Sequence, residues 1–298
     1  MIKIRNLSKK FDTDDVLNKL NCTIKESCIY GLVGANGSGK STMLRIINGI
    51  YEADSGEVTI DGENISDNEE LKQRMVFIPD DLFFYPGYSL YDTALYYQSM
   101  YKKFDMDKLI GLAKTLKLDL NTKVNTFSKG MKRQCALICA LSTNADYMFF
   151  DETFDGLDPV VRNLVKKLIA KQMEDSKVTI VLTSHNLREL EDICDNLGLL
   201  YKGGILFESE IDSLKTSMYK VQISFKEDFS QDRFKGLDIL SFKKSGSVAT
   251  VIINDKSRKS KEKLEKMKPL ILDIIPLTLE EIFIYEMEVL GYEFTEII

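Results

Sequence analysis

Nine residues, Gly34-Ala-Asn-Gly-Ser-Gly-Lys-Ser-Thr42, constrain this chain more than any other stretch. Three glycines between positions 34 and 39 exclude regular structure there. Cys28 to Val33, before them, is a short apolar run suited to a buried strand, and Met43 to Ile50, after them, has helical spacing. Strand, glycine loop and helix in that order satisfy G-x-x-x-x-G-K-[ST] in its required context. The glycines let backbone N–H groups converge on phosphate oxygens without Cβ clashes, and the helix N-terminus adds partial positive charge. Lys40 is placed for the β- and γ-phosphates and Ser41 for Mg²⁺; Asn36, Gly37, Ser38, Gly39 and Thr42 complete the cradle. At an average glycine usage of about 7%, chance produces this pattern in roughly one protein in a hundred of this length, so an accidental Gly-rich turn is disfavoured.

Three further segments carry chemistry. Tyr147-Met-Phe-Phe-Asp-Glu152 is an apolar strand ending in paired carboxylates. Asp151 fits the acid on the Mg²⁺ side and Glu152 a residue that polarises an attacking water. Taken alone this is a common acidic turn; downstream of a phosphate loop it gains meaning. Val178 to Leu182 is a second buried strand and ends in Thr183-Ser-His185, which holds the only histidine of the chain at a strand C-terminus, where α/β ligand sites form. Phe127-Ser-Lys-Gly-Met131 opens a helix, Lys132 to Ser142, with Ser128 as N-cap. That makes a second anion-seeking helix terminus in a chain with one phosphate loop, either a plain cap or a phosphate contact used by another copy.

The rest of the chain sets the frame. Its 298 residues suggest about two domains, and 44% hydrophobic with 29% charged residues excludes wholesale disorder. No apolar run approaches the ~20 residues needed to span a bilayer, and no secretory signal follows the N-terminus, so the expected location is cytoplasmic. A net charge of −6 argues against bulk nucleic-acid affinity. The five cysteines are scattered without a C-x-x-C pair and read as reduced core thiols. Alternating strand and helix patterns up to about Ser209 suggest βαβ units, with a mostly helical stretch from Leu71 to Ala145 and an aromatic turn at Leu82 to Tyr88. Beyond Ser209, Tyr219 to Phe225 and Ser247 to Ile253 alternate as strands of a small α+β unit. Lys256 to Lys268 holds seven basic and two acidic residues, a solvated helix face by its pattern, and the segment after it is wholly acidic among its charges. Leu279, Ile282, Phe283, Met287 and Leu290 share one helical face.

Together these motifs resemble the nucleotide-binding subunit of ABC transporters, over about residues 1–210 and in the family's order. Gly34 to Thr42 is similar to Walker A, Phe127 to Met131 to the signature motif, Asp151 and Glu152 to Walker B and its catalytic glutamate, Gly156-Leu-Asp158 to the D-loop, and His185 to the switch histidine. Phe11 matches the aromatic that stacks on adenine. The resemblance implies a P-loop NTPase fold of the ABC-ATPase type: an α/β, mixed-sheet core over 1–210 with a helical subdomain over about 80–145, followed by a small α+β domain over 211–298. It also implies ATP and Mg²⁺ as ligands and a head-to-tail pair of ATPase subunits, identical or paralogous. In that pair Ser128, Gly130 and Asp158 act in trans, and a separate integral membrane permease anchors the pair peripherally on the cytoplasmic face.

Four positions depart from the family pattern. Asp80 stands where the Q-loop glutamine is usual and is a further candidate for approach to Mg²⁺; Lys129 and Met131 alter the signature; Thr153 replaces a proline. The function expected is ATP hydrolysis powering a separate permease of exporter type. A non-transport ATPase of this family, acting on ribosomes or DNA, is the alternative, but those proteins usually carry two nucleotide domains or a long coiled coil. A nucleotide-gated regulator without turnover is opposed by Glu152 and His185 and kept open by Asp80.

Overall fold

The computed structural model describes residues 1–66, 68–255 and 260–289. Its chain divides into two units, Met1–Glu208 and Ser209–Ile298. The first unit opens with two long antiparallel strands, β1 (Ile2–Phe11) and β2 (Asp14–Ile24), paired from Ile2↔Ile24 to Phe11↔Asp14. Register shifts interrupt the ladder, and Asn6 and Lys19 take positive φ. Such bulges break strict alternation, which is why only Ile2 to Leu7 and Cys22 to Lys25 read as strand in the sequence. β4 (Ser55–Ile60) pairs antiparallel with β1 and β5 (Glu63–Asn64) with β4, completing a four-stranded sheet.

The second sheet has six strands in the order β10-β9-β3-β8-β7-β6. They are β3 (Ile29–Val33), β6 (Met75–Ile78), β7 (Tyr147–Phe150), β8 (Thr179–Ser184), β9 (Asn196–Tyr201) and β10 (Gly204–Glu210). β6, β7, β8, β3 and β9 run parallel, and β3, β7 and β8 are buried at every residue, so they appear in the sequence as unbroken apolar runs. Helix α1 (Lys40–Ile47) buries Met43, Leu44, Ile46 and Ile47 in one core with Ile2, Leu7, Leu20 and Ile60 of the antiparallel sheet and Leu32 and Phe149 of the parallel one. α2 (Glu69–Gln73) leads into β6. All five cysteines are free and buried. Burial pushes Cys22 up to about 12 and Cys28 to about 11, which suppresses the reactive thiolate.

Between β6 and β7 lie α3 (Leu90–Met100), α4 (Met106–Thr115) and α5 (Lys129–Ser142), which close over Leu90, Leu109, Val124, Phe127, Ile138 and Cys139. α6 (Pro159–Asp175) and the short α7 (Leu187–Leu190) flank β8 in sequence. No helix among the described residues is long and apolar enough to cross a membrane.

The second unit is a four-stranded antiparallel sheet, β12-β13-β11-β14, with helices. It comprises α8 (Ile211–Ser217), β11 (Met218–Ser224), β12 (Ile239–Ser245), β13 (Val248–Asn254), α9 (Ser260–Lys266), β14 (Ile271–Pro276) and α10 (Leu279–Val289). β11 and β13 are the two strands the alternation marked. The edge strands β12 and β14 were not singled out, because the first ends in Lys-Lys-Ser and the second abuts an acidic helix. Leu279, Ile282, Phe283 and Met287 are buried on one face of α10; Leu290 lies outside the described residues. Apart from Leu264, α9 buries little beyond Ser260 and exposes its lysines, as the basic run suggested; residues 256–259 of that run lie outside the described residues.

Candidate functional site

Strand register assembles the site. Val33 pairs with Ser184, Phe150 with Leu182 and Ile78 with Phe150, so Gly34, His185, Asp151 and Pro79 follow the C-terminal ends of adjacent parallel strands, with Thr183 next to the last residue of β8. That edge is where open α/β sheets place ligands.

The glycine loop leaves β3 at Gly34 and enters α1 at Lys40. Gly39 has φ +107°, and a Cβ there would lie 2.9 Å from the carbonyl oxygen of Val16, so both conformation and space demand glycine. Asn36 and Gly37 are exposed, while Ser41 and Thr42 are half-buried in the first turn of the helix. Lys40, only 5% exposed, donates from Nζ to the carbonyls of Gly34 (2.7 Å) and Ala35 (3.2 Å) and stands 3.3 Å from Glu152 Oε1. Glu152 Oε2 lies 3.0 Å from His185 Nδ1. Lysine, glutamate and histidine thus form one contact chain across three strand ends. Glu152 takes a left-handed backbone (φ +46°), strain of order 1 kcal/mol that recurs at functional sites.

Asp151 is fully buried. Its Oδ1 accepts from the Thr183 hydroxyl at 2.6 Å, and that hydroxyl accepts from the Glu152 amide at 3.0 Å. Thr183 therefore fixes both acids, a role not apparent from the sequence; the parallel register that sets it beside Asp151 is the signal that would have found it. Asp151 Oδ2 and Ser38 Oγ are buried without a hydrogen-bond partner. Both are oxygens, as is the Ser41 hydroxyl, the ligand type that hard divalent cations take. The His185 loop is braced from outside: Ser184 Oγ donates to Glu189 Oε2 (2.7 Å), and Arg162 Nη1 pairs with Glu189 Oε1 (3.2 Å).

The signature and D-loop residues form a second cluster. Ser128 caps α5, accepting from the Met131 amide at 3.2 Å, and Asp158 caps α6, accepting from the Val160 and Val161 amides. Lys129 Nζ pairs with Asp155 at 2.7 Å, and its ammonium holds the Asp155 carboxyl below the usual carboxylate range. A Cβ on Gly130 would come within 3.0 Å of the Gly156 carbonyl oxygen, so the two loops pack tightly. Phe11 ends β1 with its ring 40% exposed, edge-on to Tyr51 at 5.5 Å. Asp80 differs from the sequence expectation in its surroundings: Arg133 of α5 holds its carboxylate.

Residues 17–155 match the model of the ABC transporter family. Over 284 residues, the chain is 32% identical to the ABC transporter ATP-binding protein YtrB of Bacillus subtilis, covering 95% of this chain and 97% of that one. The chain belongs to the ABC transporter ATP-binding proteins. It is the ATP-binding and hydrolysing subunit of an ABC transporter. It is also 30% identical to the bacitracin transport ATP-binding protein BcrA of Bacillus licheniformis, with 72% of this chain and 71% of that one covered. Among solved structures it is similar to an ATP-binding subunit of an ABC transporter (TM-score 0.67, 25% identity, 72% and 92% covered). It also resembles the dimeric post-hydrolysis cassette MJ0796 bound to ADP and phosphate (TM-score 0.65, 23% identity, 71% and 99% covered), which bears on the fold.

Proposed function

We propose that this ABC ATPase hydrolyses Mg²⁺-bound ATP between two subunits arranged head to tail and drives a separate membrane permease of exporter type. The observation that carries it is the contact chain Lys40–Glu152–His185 beside the buried Asp151. Lys40 and the 36–42 backbone hold the phosphates, and Ser41 and Asp151 hold the cation. Mg²⁺, when bound, neutralises charge developing on the phosphate oxygens. Glu152, aligned by Lys40 on one oxygen and His185 on the other, orients and polarises the attacking water; His185 contacts the transferred phosphate. Phe11 stacks on the base. Ser128, Gly130 and Asp158 of a second subunit close the site, as the exposed helix start at α5 permits.

Several named relatives serve bacitracin and lantibiotic transport or linearmycin resistance, and these names support the exporter reading. The permease contact we assign to the groove of about 230 Å³ behind Pro79, lined by Phe83, Tyr85, Tyr88 and Tyr96. Phe83 is 74% exposed while Phe84 packs into the helical core, so this turn serves as anchor and as surface. The test is Glu152→Gln. It is expected to retain ATP binding, to lower kcat at least a hundredfold, in keeping with loss of a general base, and to accumulate an ATP-bound dimer in size-exclusion chromatography. Undiminished turnover would overturn the role of Glu152.

A further inference from the structure

Asp80 stands where the family has glutamine, and its neighbour Arg133 accounts for the acid. Arg133 lies one turn into α5 and is 1% exposed, among the largest fully buried side chains of the protein. All its hydrogen bonds go to two consecutive residues: Nη1 donates to the carbonyls of Pro79 (3.2 Å) and Asp80 (2.8 Å), and Nη2 pairs with Asp80 Oδ1. The Asp80 side chain is 53% exposed, so its ion pair is asymmetric, a wet carboxylate holding a dry guanidinium whose Nε has no partner among the described residues. A buried guanidinium left without its counter-charge is strongly unfavourable; Asp155 also lies within electrostatic reach of Arg133, but Asp80 is the acid bonded to it, and so the acid that Arg133 requires. A neutral glutamine would not neutralise it.

The clamped segment has other attachments. The Asp151 amide donates to the carbonyl of Ile78 at 2.9 Å, immediately before Pro79. Pro79 and Asp81 line the aromatic groove together with Ala136, which lies on α5 one turn beyond Arg133. Arg133 therefore ties the segment between the Asp151 strand end and the groove to the helix whose N-terminus carries Ser128 and Gly130.

We propose that Arg133 is a positioning residue and that the Asp80–Arg133 ion pair, rather than a contact from Asp80 to the cation, transmits the state of the groove to the α5 N-terminus. This rests on the reading of that N-terminus as the phosphate contact offered to a second subunit. The function of position 80 in this chain is then to move with α5 as one body.

The test compares Asp80→Gln, Arg133→Gln and the double variant in the full-length chain, with Asp80→Glu as the conservative control. Three readouts serve: kcat, the Mg²⁺ concentration for half-maximal activity, and the thermal midpoint without nucleotide or metal. Each single glutamine variant is expected to lower kcat at least fivefold and to lower the metal-free midpoint. The double variant, with a neutral pair, should regain most of the metal-free midpoint, because coupled residues are not additive, while its kcat stays at least fivefold low, because no ion pair remains to tie the segment to α5. Asp80→Glu should keep the parent's metal-free midpoint, and half-saturating Mg²⁺ should stay within twofold throughout. A tenfold rise in that concentration in Asp80→Gln, or a double variant with the parent's kcat, would overturn the proposal. If Arg133→Gln does not fold, Asp80→Gln against Asp80→Glu still decides through Mg²⁺ dependence and the metal-free midpoint. A parent that binds and hydrolyses ATP but never dimerises would instead sink the two-subunit reading, leaving the metal-free comparison intact.

Discussion

Replacing Thr183 by valine removes one hydroxyl from a position that is 1% exposed and otherwise keeps its shape. Two bonds go with it. The first is the 2.6 Å bond donated to Asp151 Oδ1, and a hydrogen bond to a charged group is worth about 1.5–3 kcal/mol. The second is the 3.0 Å bond accepted from the Glu152 amide, which leaves a part-buried donor unmatched at a cost of about 1–3 kcal/mol. Asp151 Oδ2 already lacks a partner, so the carboxylate has no nearby substitute. Allowing for relaxation and shared terms, the expected loss is about 3 kcal/mol, over a hundredfold in the folding constant. Thr183→Ser keeps the hydroxyl and loses only a methyl group, for about 1 kcal/mol. The assay is urea unfolding of both variants beside single-turnover hydrolysis at saturating MgATP. Valine should fall well below serine in both stability and rate, since the amide that sets the left-handed turn at Glu152 is released. Equal losses for valine and serine would refute the hydroxyl's role.

Gly39→Ala places a Cβ in the left-handed region 2.9 Å from a backbone oxygen, so it should cost more than 1 kcal/mol and abolish nucleotide binding measured by calorimetry; a variant that binds ATP normally would contradict the loop geometry. Phe11→Ala should weaken ATP binding about fivefold to tenfold and Phe11→Tyr should restore it, as stacking on a base predicts; equal affinities in a fluorescence titration would remove Phe11 from the site. Partial burial works against ionisation of Asp61, yet bonds from the Met1 amine, Tyr147 and Arg74 outweigh it and bring its carboxyl down to about 2. Because the folded value is depressed, this contribution, about 1 kcal/mol once solvent screening of so exposed a group is allowed for, is complete above the ordinary carboxylate range and is lost as pH falls from about 4 toward 2. Urea midpoints across that window should drop for the parent and flatten for Asp61→Asn; parallel curves would refute the linkage.

Much of the site was legible because its chemistry is local in sequence. Gly34 to Thr42 lies within one loop, Asp151 and Glu152 are adjacent, and Ser128 and Asp158 each cap the helix that follows them. What escaped the sequence was held between strands and helices. Nothing next to Thr183 in the chain points to Asp151; the β7–β8 register places it there. Arg133 carries no mark of its partner in the helix sequence around it; its burial against Pro79 and Asp80 spans 53 residues of chain. The edge strands β12 and β14 were missed because edge positions need not alternate cleanly when one side faces water.

From the sequence alone followed the order strand, phosphate loop, helix, acid pair and histidine, because backbone sterics and helix capping act over a few residues and leave their mark in composition. Tertiary structure decided which of those groups touch. Parallel register brought Lys40, Glu152 and His185 into one contact chain, and burial turned Asp80 from a candidate near the metal into the counter-charge of Arg133. Pairing of that kind depends on which surfaces exclude water together, and neighbours along the chain carry no record of it.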